Sequence, residues 1–234
     1  MFPHWDFNNL TSGNPAANYY ASWWKGWLDD NESYELFKKT GYFSKRLRLI
    51  TDRLVKVIVL NTESCDIENH NVYATLYDPM SQLDFLSREL DTLEKNQGLA
   101  IVSFHITPDD GCNHEFAVRY KAILDRYQHI IRMNLMAHTH TDLFKVAMSY
   151  SNPVLPVGIL TVCGSVTTWG GQQPSFCVFE IDQETLLPLE RYTYAFDINR
   201  ANSEGVITWV ANYTDFRRDY SLDDLSPSSF HRFA

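Results

Sequence analysis

Three apolar runs, at 54–60, 99–104 and 130–136, constrain this chain most, because a stretch of helical period lies between each neighbouring pair. The run Val55-Lys56-Val57-Ile58-Val59-Leu60 is rich in β-branched residues and reads as a buried strand. The first intervening stretch opens at Asp78 as N-cap with Pro79 in the first turn. It carries Leu83, Leu86, Leu90 and Leu93 on one face and ends at Gly98. A second helix is predicted over about 114–127. Strand, helix, strand, helix, strand predicts parallel crossovers, in which ligands sit beyond the carboxyl ends of the strands. His105 follows one such end and His138 the next.

The flanking segments read differently. Residues 42–50 and 54–60 are predicted to form a hairpin around Thr51-Asp52-Arg53, after a short helix over 34–39 that Gly41 ends. Residues 16–28 carry Tyr20, Trp23, Trp24 and Trp27 at helical spacing, which predicts a helix facing the core or walling a cleft. From 143 onward, short strands at 143–150, 157–163, 176–181 and 189–196 predict an antiparallel β region. The last forty residues hold Trp209, Tyr213, Phe216, Tyr220, Phe230 and Phe233 among polar residues, and predict short helices clamped onto the body.

Composition excludes several classes. With 234 residues, 44% of them hydrophobic, the chain can bury one sizeable core, and disorder over most of its length is excluded. A net charge of -9 repels a nucleic-acid backbone, and the short basic knots at 45–48 and 217–218 read as solvated faces, so no nucleic-acid platform is expected. No apolar run reaches the ~18 residues of a membrane span. The first residues show neither the basic nor the apolar region of a secretory signal. Four cysteines, at 65, 112, 163 and 177, suit either two disulfides or buried thiols. Three glycosylation sequons, at Asn9, Asn31 and Asn212, tilt the balance toward a secretory origin.

Chemistry concentrates in Ala137-His138-Thr139-His140, a His-x-His after a strand, with His105 after its neighbour. Imidazole suits borderline cations, and two histidines at i and i+2 in a turn can address one ion or two adjacent ions.

The stretches Val57-Ile58-Val59-Leu60-Asn61-Thr62, Asp78-Pro79-Met80-Ser81-Gln82-Leu83, Ser103-Phe104-His105-Ile106-Thr107-Pro108 and Ala137-His138-Thr139-His140-Thr141-Asp142 occur in order at suitable spacing. Together with Ser165-Val166-Thr167-Thr168 and Glu180-Ile181-Asp182 they resemble the acid sphingomyelinase-like branch of the calcineurin-like metallophosphoesterases, over nearly the whole chain. The resemblance implies an α/β (α+β) fold, the second half of a β-sandwich flanked by helices. Residues 1–196 would be the C-terminal part of the metallophosphoesterase domain, and 197–234 a sphingomyelinase-type extension.

It also implies a site for two metal ions, usually zinc, that binds a phosphodiester, either a lipid headgroup or a small phosphodiester, and activates water for in-line attack. Carried over by position, His105 and His138 look like ligands of one ion and His140 of the other, and Asn61 like a polar wall of the substrate cleft. His4 looks like a phosphate-binding or proton-donating residue, or a loop histidine without a role. Cys65 and Cys112 match a pair that bridges two loops in this branch, while Cys163 and Cys177 are expected as free buried thiols. Where the family has glycine before each histidine motif, this chain has Phe104 and Ala137.

The family's other ligands, from Asp-x-His, Gly-Asp and Gly-Asn motifs, lie upstream of the matched region. The chain is therefore expected to be a fragment that holds paired dications poorly and is a weak catalyst alone, with a missing N-terminal half as partner. The alternatives are a non-catalytic binding or interaction module, or an endopolyphosphatase-like or nucleotide-phosphodiesterase-like member. Secretion or lysosomal residence is expected from the resemblance.

Overall fold

The computed structural model describes residues 15–28, 30–49, 52–70, 78–213 and 216–233. His4, Thr51 and the sequon at Asn9 lie outside them, as does part of the sequon at Asn212. The chain divides into two compact units, residues 1–131 and 132–234. Both units combine helices with strands, the mixed α/β content expected. No described helix is long and apolar enough to cross a membrane.

In the first unit, α1 (Pro15–Trp24) and α2 (Asn31–Thr40) precede the hairpin of β1 (Phe43–Leu47) and β2 (Val55–Val59), which pair antiparallel. The Asp30 carboxylate caps α2 by accepting from the Ser33 N–H at 2.7 Å. Gly41 ends that helix at φ 77°, a conformation that costs other residues about 1–2 kcal/mol. The expectation of core-facing aromatics on α1 is not met. Its inner face is Ala17 and Ala21, and Ala21 forms a small core with Leu28, Phe37 and Phe43, while Tyr19, Tyr20, Trp23, Trp24 and Trp27 are exposed.

The helix α3 (Gln82–Lys95) buries Leu83, Leu86, Leu90 and Leu93, the face read from its spacing. Its start differs from the expectation at Asp78. A short 3-10 turn, Pro79–Ser81, intervenes, with Met80 and Ser81 at positive φ. The Asp78 carboxylate reaches across that turn to accept from the Leu83 N–H at 3.0 Å, so it satisfies a first-turn donor from farther away. Then β3 (Leu99–Ser103) pairs parallel with β2, completing the predicted crossover, and α4 (His114–Tyr127) follows, capped by Asn113. Burial drives the α4 face of Phe116, Tyr120 and Leu124 inward, and it raises the Tyr120 pKa because the phenolate would be desolvated.

All but the first residue of β4 (Ile131–Met136) belongs to the second unit, where β4 pairs parallel with β6 (Pro156–Val162), and β5 (Leu143–Met148) pairs antiparallel with β6. β6 is thus flanked by strands running both ways, where the sequence predicted a purely antiparallel region. A separate antiparallel sheet runs β7 (Ser175–Ile181), β8 (Pro188–Ala195) and β9 (Val210–Tyr213), with α5 (Ile198–Glu204) between β8 and β9. The tail forms α6 (Phe216–Asp219) and α7 (Pro227–Phe233). Phe216, Leu222, Leu225 and Phe230 pack with Phe144 and Val146 of β5 and Ile159 of β6, which is the clamp predicted for it.

Candidate functional site

In the first unit, the loops leaving β2 and β3 at their carboxyl ends are stitched together. Thr62, buried, accepts the Ile106 N–H on its hydroxyl at 2.8 Å, and the Ile67 N–H donates to the Gly111 carbonyl at 2.8 Å. Cys65 and Cys112 form a disulfide there, with Cα atoms 4.7 Å apart, and the Asn113 N–H donates to the Cys65 carbonyl at 2.7 Å. Closing a loop with a sequence separation of 47 removes conformations from the unfolded chain, about 4 kcal/mol on a chain-entropy argument. His105 stands exposed on this braced pair of loops, immediately after buried Phe104, whose ring packs edge-on against Tyr120.

Asn61 occupies the same loop, but both ends of its side-chain amide serve the backbone. Its Nδ2 donates to the Thr40 carbonyl at 3.0 Å and its Oδ1 accepts from the Glu63 N–H at 3.2 Å. A Cβ on Gly41 would collide with the Asn61 amide, so the close approach of α2's end to this loop depends on that glycine. Gln82 adds two bonds of 3.1 Å to the Asn61 backbone. This Asn61 joins elements, a role the sequence reading did not anticipate.

In the second unit, His138 and His140 lie on the turn that links β4 to β5, and both take left-handed backbone, φ 77° and 60°. Non-glycine residues held there cost about 1–3 kcal/mol each and persist where the surrounding structure enforces them. Neither Phe104 nor Ala137 has positive φ, so the side chains standing where the family has glycine are accommodated without left-handed strain. The His140 Nδ1 is buried and has no hydrogen-bond partner. A buried imidazole nitrogen left unpaired is costly, and a cation ligand is one way to satisfy it. Imidazole donors fit zinc, but among the described residues no group of three or more His, Cys, Asp or Glu side chains is assembled for a metal.

The turn is fixed by groups far away in sequence. Its last residue, Asp142, gives one carboxylate oxygen to an ion pair with buried Arg191 and the other to the Thr193 hydroxyl at 2.7 Å. The Arg191 guanidinium also donates to the Val162 carbonyl at 3.3 Å and lies 3.2 Å from the Cys177 sulfur. Cys177 is disulfide-bonded to Cys163, with Cα atoms 5.7 Å apart, which corrects the expectation of free thiols at these positions. The physical reason lies in the chain between them. Gly164, without a side chain, lets Ser175 at the start of β7 approach so closely that a Cβ there would overlap its hydroxyl.

With the loops and the turn in view, the chain can be set beside other proteins. No protein-family profile matches it. Across about nine tenths of its length, however, it is similar to sphingomyelin phosphodiesterases and acid sphingomyelinase-like phosphodiesterases. It is 28% identical to sphingomyelin phosphodiesterase A of Dictyostelium discoideum over 91% of its own length and 36% of that protein. It is also 28% identical to acid sphingomyelinase-like phosphodiesterase 3b of Mus musculus, over 93% of this chain and 50% of that protein. Sphingomyelin phosphodiesterase 1 of Caenorhabditis elegans is 29% identical over 88% of this chain and 36% of that protein. The chain thus spans a third to a half of the length of these relatives.

Proposed function

We propose that this chain carries the His-x-His part of a metal-dependent phosphodiester hydrolase of the acid sphingomyelinase-like type, acting on sphingomyelin or a related phosphodiester. The observation that carries the reading is the turn of the second unit, where two left-handed histidines and an unpartnered His140 Nδ1 coincide in a chain similar over about nine tenths of its length to sphingomyelin phosphodiesterases. When bound, paired zinc ions neutralise phosphoryl oxygens and lower the pKa of a water. By resemblance, His138 and His140 on the turn of the second unit are metal donors, and His105 is a metal donor presented by the first unit. Imidazole nitrogens supply neutral donors, and carboxylates are the usual groups that offset the charge of paired dications.

Asn61 and the Cys65–Cys112 disulfide hold the first unit's loops in place so that His105 is presented from a rigid base. His4, by resemblance, binds phosphate or donates a proton. Secretion or lysosomal residence accompanies the reading, and the exposed Asn31 is a candidate glycan site.

The test is zinc titration of the purified chain, followed by hydrolysis of a chromogenic phosphodiester. Zinc binding that falls at least about tenfold in a His138→Ala/His140→Ala double variant, with little turnover by the chain alone, is expected. Zinc affinity unchanged in that variant would overturn the assignment, and robust chelator-sensitive turnover would show that the 234 residues contain a complete site.

A further inference from the structure

The His138–His140 turn stands on two feet. Met136, the last residue of β4, and Leu143, the first of β5, are both paired with Val162 at the end of β6. Six residues must therefore cross between the two strands that flank β6, and no strand pairing dictates their path. What dictates it is the pair of residues on β8. Strand geometry places side chains at i and i+2 on one face, so Arg191 and Thr193 point the same way, both buried. Each takes one oxygen of Asp142, the foot of the turn nearest His140. The same guanidinium bonds the carbonyl of Val162, the residue opposite both feet. Within the turn, the Thr139 N–H donates to the Ala137 carbonyl at 3.0 Å and the Thr141 hydroxyl donates to that of Thr139 at 2.9 Å.

We propose that Arg191 and Thr193 are positioning residues that act through Asp142 to hold His138 and His140 in their left-handed conformations, with the Cys163–Cys177 disulfide seated against the same guanidinium. A carboxylate held at both oxygens cannot rotate, and a turn anchored at both feet cannot relax its two strained residues. The ring of Phe216, 5.1 Å from the guanidinium carbon, and that of Phe179, at 5.8 Å, close the space around Arg191. The orientation of the imidazoles is thereby set from β8, 49 residues away in sequence from Asp142. The metal-binding consequence rests on the function proposed above, whereas the conformational one does not.

Removing Arg191 takes a fully packed side chain out of the interior and endangers folding, so the decisive variant is Thr193→Val, which keeps the shape and deletes one hydrogen bond. The 234-residue chain, labelled with 15N-histidine, is followed by NMR and by competition for zinc against a chromogenic chelator. In Thr193→Val the His138 and His140 resonances are expected to shift while those of His114 and His129 stay in place. Zinc affinity is expected to fall about tenfold or more. Thr193→Ser, which restores the hydroxyl, is expected to recover both.

Unmoved histidine resonances, or failure of Thr193→Ser to rescue them, would overturn the proposal even if the variant melts earlier. Zinc binding that is intact and equal in wild type and Thr193→Val would overturn the positioning role and leave the metal reading standing. If no form of the chain binds zinc while the two resonances shift and are rescued, the positioning role stands and the metal reading fails.

Discussion

Trp23 of α1 is 72% exposed, whereas Phe230 of α7 is 4% exposed, although both sit on short aromatic-rich helices near the ends of the described chain. The difference lies in what each helix offers on its other face. In α1 the inner positions are Ala17 and Ala21, which allow close approach to α2, so the bulky rings are left outside. They find partial contacts there. Trp24 stacks on Phe37 with ring centroids 5.5 Å apart, and the Lys45 ammonium lies 4.7 Å from the Trp27 ring. In the tail the rings themselves are the inner face. Phe144 projects from β5 into Phe216 and Phe230, with centroids 6.4 and 4.4 Å away, and no small residue could fill that space. Aromatic content therefore says how much area a segment can bury, and its small residues decide which side it buries.

The comparison is broken most directly at Phe230. Phe230→Ala should cost about 3–5 kcal/mol by loss of buried area and creation of a cavity, measured by urea unfolding. Ala21→Leu probes the opposite end by forcing methylenes between α1 and its small core. It should cost about 1–3 kcal/mol by the same measurement, and a neutral result would mean that α1 can shift outward freely. Trp23→Ala, by contrast, should change stability by no more than about 0.5 kcal/mol, since it removes an exposed ring.

The smallest expected effect is pH-dependent and belongs to the tail. The Ser226 and Ser229 hydrogen bonds to the Asp224 carboxylate, with Arg232 nearby, lower its pKa. A depressed folded-state value means that this carboxylate stabilises the tail above its unfolded pKa near 4 and that the contribution is lost as pH falls through the folded value. Asp224→Asn should flatten that acid-limb dependence in thermal melts between pH 5 and about 2, and an unchanged slope would remove Asp224 as its source.

The two histidine-bearing regions were legible to different depths. Buried runs and the Leu83-Leu86-Leu90-Leu93 face are written in local periods, so the β2–α3–β3 crossover could be read directly, and with it the strand end that precedes His105. The helix start could not be read to the residue, because the positive φ values of Met80 and Ser81 carry no glycine signal. At His138 and His140 the residue types were visible and the backbone conformation was not, for the same reason. A signal for the clamp did exist, an arginine at 191 two residues before a threonine on a predicted strand, but nothing local marks such a pair as facing Asp142.

Composition and periodicity alone determined that this chain is a mixed α/β protein with histidines at strand ends, and the motif series determined which proteins it is similar to. Tertiary structure alone decided that α1 turns its rings to solvent, that Cys163 meets Cys177, and that Arg191 and Thr193 grip Asp142. The physical reason is range: propensity and amphipathic spacing act over a few residues, while burial and pairing depend on groups that only the folded chain brings within a few ångströms.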